Sequence, residues 1–160
     1  MYVQELLAEV ATAPVVKRAI TNHDALNEAY DYGSAFSRGM RIDLNGLTIL
    51  LISGTASIDE CGRTVHVGDL RAQLRRTYDN ITKLLASEGA TWHDIVRTTC
   101  YLRDIARDYQ AFNEERTAFY HEQKLDPLPA STGIQAILCR PDLLIEIEAI
   151  AMFRRESLPD

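Results

Sequence analysis

Ten residues near the end of the chain, Leu143 to Met152, constrain the fold more than any other stretch. Side chains of a strand alternate between its faces. Leu143, Ile145, Ile147, Ala149 and Ala151 therefore share one wholly apolar side, and Leu144, Glu146, Glu148, Ile150 and Met152 share the other. A strand this apolar on both sides belongs inside a sheet with both faces covered. Its two glutamates are the exception, because carboxylates are seldom buried without a partner. Either they are solvated or salt-bridged to arginines of a neighbouring strand, or they mark a site of chemistry.

The remaining elements are read from periodicity and punctuation. Val3, Leu6, Leu7 and Val10 predict a short amphipathic helix over Tyr2 to Ala11, and Thr21 to Gly33 reads as a polar loop with a helical turn after Asp24. Ala35 to Asp43 and Leu47 to Thr55 flank Asn45-Gly46, the pair that best accepts the positive φ angles of a tight hairpin. Thr64 to Val67 reads as a short strand. Asp69 caps a helix running to about Ser87, with Leu70, Leu74, Tyr78, Ile81, Leu84 and Leu85 on one stripe and Gly89 as its stop. Ile95 to Arg103 is a strand with Val96, Thr98, Cys100 and Leu102 on one face. Asp108 caps a second helix through Glu122, and Ser131 to Leu138 is a strand before the acidic one.

This order gives an α/β (α+β) class: a single mixed sheet with two helices on one face. The other face is left for a second copy of the chain, which predicts a closed homo-oligomer. Residues 1–30 read as an N-terminal extension with a short helix and residues 31–156 as the domain.

A formal charge of −6 argues against broad binding to a nucleic-acid backbone, which depends on a cationic surface. Cys61, Cys100 and Cys139 form no CxxC pair, and the four histidines are equally dispersed, so neither a disulfide framework nor a metal site is expected. The longest apolar run, around Ile49 to Ile52, is far too short to span a bilayer. A reduced, cytoplasmic protein without membrane attachment is the expectation.

The ordered motifs Ile52-Ser53-Gly54, Gly68-Asp69 with Ala72-Gln73, Asn80-Ile81, Asp94-Ile95-Val96, Phe112-Asn113, Pro129-Ala130 and Glu146-Ile147-Glu148-Ala149-Ile150-Ala151 resemble those of the Rid family, also called the YjgF family, from about Phe36 to Phe153. The resemblance implies a chorismate-mutase-like fold, a homotrimer with an inner β-barrel, and ligand clefts between subunits. It also implies cofactor-free hydrolysis of enamine and imine intermediates carrying a carboxylate. Carried over by position, Phe36, Ser53 and Asn113 line the pocket and Glu146 orients water and moves protons.

After Pro129-Ala130 the deaminating members place an arginine that grips the substrate carboxylate, and here Ser131 stands in its place. A hydroxyl cannot replace a charged fork of donors. Arg38 and Arg140 are the expected substitutes. The C-terminal part, with Cys139-Arg140-Pro141-Asp142 and its cysteine seven residues ahead of Glu146, is also similar to one half of the chorismatases, which release pyruvate from chorismate. Cys139 then reads as a pocket wall, since no histidine is placed to activate it. Three readings result: a hydrolase of a small anionic enamine, imine or enol with Glu146 as acid and base, a non-catalytic ligand-binding or chaperone-like trimer, and a chorismatase-like enzyme. Ribonuclease activity ranks last on charge.

Overall fold

The computed structural model describes residues 14–22, 26 and 33–154. The expected helix over Tyr2 to Ala11 and most of the loop before Gly33 lie outside these residues. Six strands form one sheet in the order β1-β2-β3-β6-β4-β5: β1 Val16–Ile20, β2 Gly39–Leu44, β3 Leu47–Ala56, β4 Ile95–Leu102, β5 Ala130–Gln135 and β6 Ile145–Arg154. All neighbours are antiparallel except β4 and β5. Two helices, α1 Leu70–Ser87 and α2 Ile105–Glu122, cover one face. Neither helix is long and apolar enough to cross a membrane.

The acidic strand does lie inside the sheet, between β3 and β4. Its side carrying Ile145, Ile147, Ala149 and Ala151 is fully buried with Leu50, Ile52, Cys100 and Leu102 against the helices. The α1 stripe supplies Leu74, Tyr78, Ile81, Leu84 and Leu85, and Tyr78 stacks on Phe119 of α2 with ring centroids 4.2 Å apart. Among the described residues no helix covers the opposite face, where Leu51 is 40% and Met152 42% exposed.

Local chemistry explains the element ends. Asn45 and Gly46 take the positive φ angles that the hairpin requires. Asp69 accepts from the Ala72 N–H at the start of α1, and past its end Gly89 adopts φ +72° while the Ala90 N–H reaches back to the Leu85 carbonyl. The cap of α2 is Asp104, not Asp108. Asp104 accepts from Arg107 N–H, and Asp108 lies buried in the first turn, paired with Arg107 at 2.6 Å.

Other expectations are corrected by bulges and by long-range pairing. β4 carries an extra residue at Val96, because Ile95 pairs with Ala151 and Arg97 with Ile150. Val96 is consequently exposed, and Ile95 takes the core position. Thr64 makes only a single bridge to Ile58 instead of a strand. β5 ends at Gln135 and all six of its residues are exposed, because it is the sheet's edge. The sequence signalled no strand at Val16–Ile20, yet it forms the other edge. Arg18 and Arg41 both bind Glu88 beyond the end of α1, tying β1 and β2 to the helix layer.

β6 begins at Ile145, two residues later than the alternation implied, and Leu143 and Leu144 are out of phase with it. Leu144 packs against the helix-side core, whereas Leu143 joins Ala56 and Leu138 in a separate cluster. The fully buried Gln73 of α1 enforces this entry. Its amide nitrogen donates to the Asp142 carbonyl and its oxygen accepts from the Leu144 N–H, both at 2.8 Å. Gln73→Leu keeps the volume but strands both backbone groups, and a loss of about 2–4 kcal/mol is expected. A urea titration checks it, and an unmoved midpoint would refute the clamp.

Candidate functional site

The site is built around a bulge in β3. Ile52 pairs with Ala149 and Thr55 with Ile147, so Ser53 and Gly54 together face the single residue Glu148. An extra residue bends a strand and re-aims its neighbours. Here it opens a space over Gly54 that the Glu146 side chain enters: a Cβ at Gly54 would lie 2.0 Å from Glu146 Oε1. The same bulge ends the ladder of β2 with β3 at Gly39, four residues after the expected strand start. Phe36 to Arg38 therefore peels away to wall the crevice. Ser53 holds it there, its hydroxyl donating to the Ser37 carbonyl at 2.7 Å and its N–H to the Arg38 carbonyl.

The crevice has a volume of about 120 Å³ and gathers Phe36, Arg38, Cys139, Arg140 and Glu146, with Leu143 rather than Leu144 as the apolar neighbour. Arg38 is buried, its guanidinium 5.4 Å above the Phe36 ring. The segment Cys139 to Leu143 is fixed by several contacts. Arg140 donates to the Gly62 carbonyl at 2.6 Å, Thr64 donates to Asp142, and Arg103 donates to the Leu143 and Arg140 carbonyls. Much of the Arg140 hydrogen-bonding capacity is thus structural.

Burial raises the pKa of Glu146 above that of an ordinary glutamate, and the neighbouring Glu148 charge raises it further. Among the described residues no arginine offsets these effects, so the salt-bridge alternative for Glu146 is not what the structure contains. Tyr101, the β4 residue opposite Glu146, is pushed up by its own burial and then by Glu148 and Glu146. Sequence reasoning missed Tyr101 and the contact of Gly54 with Glu146. Strand alternation put Tyr101 opposite the core face of β4, but only the pairing of β4 with β6 shows that this face carries the glutamates.

The other expected residues lie elsewhere. Ser53 lines a neighbouring depression with Phe36, Met40, Leu51 and Glu148. Asn113 and Ser131 sit on the helix side, joined by Arg116: Nη2 donates to Asn113 Oδ1 at 2.5 Å and Nη1 to Ser131 Oγ at 3.1 Å. One chain therefore divides the expected pocket into a part around Glu146 and a part around Ser131. Among the described residues no group of three His, Cys, Asp or Glu side chains is placed to hold a metal ion.

A carboxyl whose pKa is raised by burial, set in a small, partly apolar crevice with two guanidiniums, is placed to donate a proton and take it back. Comparison with known proteins bears on this chemistry. A family profile described as Endoribonuclease L-PSP matches residues 27–153. The 3-aminoacrylate deaminase RutC of Acinetobacter baylyi is 36% identical over 103 residues, 64% of this chain and 78% of that protein. A RutC family protein of Pyrococcus horikoshii is 29% identical over 136 residues, 85% of this chain and 98% of that one. The crystal structure of the YjgF gene product from E. coli superposes with a TM-score of 0.70 at 28% identity, covering 86% of this chain and 99% of that one.

Proposed function

The chain belongs to the Endoribonuclease L-PSP family, the Rid or YjgF family of small hydrolases of deaminase type, and on that premise we propose that it hydrolyses a small enamine or imine bearing a carboxylate. Glu146 is the acid and base. The observation that carries this reading is its carboxyl, pushed into the space over Gly54 with its pKa raised by burial and by Glu148.

The chemistry balances with water alone. The Glu146 proton goes to the electron-rich carbon of the enamine, leaving an iminium ion and a carboxylate. Water then adds to the iminium carbon as Glu146 takes back a proton. The resulting carbinolamine expels its nitrogen as ammonia and closes to a carbonyl. Arg38 and Arg140 supply positive potential that draws an anionic substrate toward the crevice. The exposed apolar side of the sheet supports a homotrimer with the crevice at a subunit boundary.

Ammonia release from freshly generated 2-aminoacrylate and from 3-aminoacrylate, above the spontaneous rate, is the expected result. A second reading rests on Cys139, Arg140 and Glu146 sharing one crevice, the grouping that favoured a chorismatase-like enzyme. Pyruvate released from chorismate would establish it in place of the first. No turnover in any of these assays, with carboxylates still bound, would mean a ligand-binding trimer.

A further inference from the structure

Where α2 crosses the edge strand β5 lies a second cavity, about 280 Å³, with no lining residue in common with the Glu146 crevice. Phe112, Tyr109, Leu128 and Pro129 give it apolar walls, and its polar edge is the Arg116 guanidinium beside Ser131. The guanidinium stands 4.7 Å over the Phe112 ring and donates to Asn113 Oδ1 and Ser131 Oγ. Those bonds use two of its five donors.

Its charge is what sets it apart. On the same helical layer Arg71 is paired with Glu114 and Glu115, Arg75 with Glu115 and Glu122, and Arg107 with Asp108. Arg116 has no carboxylate partner among the described residues. A lone guanidinium held in a fixed orientation at the edge of an apolar, aromatic cavity matches a small monoanion with a flat or short apolar body. A carboxylate fits best, because its two oxygens fill the planar fork.

We propose that Arg116 is the residue that holds the substrate carboxylate, and that it serves the Glu146 crevice of a neighbouring copy of the chain. This rests on the enamine-carboxylate reading and names the missing grip. Arg116 and Glu146 of one chain cannot hold the same small molecule. Ser131 pairs with Thr98, whereas Glu146 pairs with Tyr101, three residues along β4 and on the other side of the sheet. With β5 and β6 flanking β4, the separation is roughly 14 Å from strand spacing and rise. Arg116 instead lies half-buried beside Ser131 of β5, the exposed edge to which another copy has access.

The test uses Arg116→Ala, Arg116→Lys and Glu146→Gln. In deamination of 2-aminoacrylate, Arg116→Ala should raise KM at least about 30-fold with a much smaller change in kcat, and lysine should restore part of the loss because it keeps the charge without the fork. Unchanged KM in Arg116→Ala would overturn the assignment. Co-assembly of equal amounts of Arg116→Ala and Glu146→Gln chains should then return about a quarter of wild-type activity at low substrate, since each site needs one intact residue from each of two copies. Absence of recovery in demonstrated mixed oligomers would overturn the shared site. Should wild type release no ammonia, the enamine reading fails and titration with pyruvate still decides on Arg116: binding at least about tenfold weaker in Arg116→Ala supports it, and equal binding refutes it.

Discussion

Replacing Glu146 with Gln should lower turnover by about 1,000-fold or more while making the folded protein more stable at neutral pH. Glutamine keeps the shape and polarity of the side chain and loses only the proton that the reaction needs. The stability gain follows from the raised pKa of the glutamate. The folded chain binds this proton more tightly than the unfolded chain does. Below the unfolded pKa both states hold it, and ionisation costs nothing. As pH climbs through the raised folded pKa, the buried carboxylate charges at the expense of folding. The variant therefore matches wild type in Tm at pH 4 and exceeds it at pH 8. Thermal melts at both pH values with steady-state rates check the pair of effects. An unaltered rate would remove Glu146 from its role.

Gly54→Ala should cost about 100-fold in kcat/KM with little loss of stability, because shifting a reacting group by about an ångström has an effect of that order. The added methyl carbon would occupy space 2.0 Å from Glu146 Oε1, so the carboxylate must swing away. The backbone itself accepts alanine, since Gly54 is not among the residues with positive φ. Comparing kcat/KM with the urea midpoint separates a displaced carboxylate from a damaged fold. Wild-type rates in this variant would mean that the carboxylate does not work from the position over Gly54.

Much of the fold could be read from the chain because it depends on local signals. Alternation in the last strand marked Glu146, Asn45-Gly46 fixed the hairpin, and Asp69 and Gly89 bounded α1. What escaped depends on partners distant in sequence. The bulges at Ser53-Gly54 and at Val96 exist only in relation to β6, so strict alternation mis-set Val96 and could not reveal the space over Gly54. Leu143 and Leu144 exchanged sides because Gln73, about seventy residues earlier, captures the backbone between them. Val16–Ile20 carries too little apolar pattern to announce a strand and needs β2 to become one.

The site was only half legible for the same reason. Phe36, Arg38, Cys139, Arg140 and Glu146 line one crevice, while Ser53 holds the backbone of Ser37 and Arg38. Arg116 lies on a charged helix and reads as one more solvated side chain. Its distinction, a guanidinium bound to Ser131 and facing no carboxylate among the described residues, emerges only when α2 is laid against β5.

Both strands that flank β6 contain one residue more than the ladder needs, opposite Glu148 on one side and between Ile150 and Ala151 on the other. Each surplus residue sharpens the local right-handed coiling, and the two together curl the sheet about its most apolar strand. A curled ribbon offers no level surface on which identical molecules could pile up without end. The greasy side of this domain is thereby a poor template for fibrillar growth.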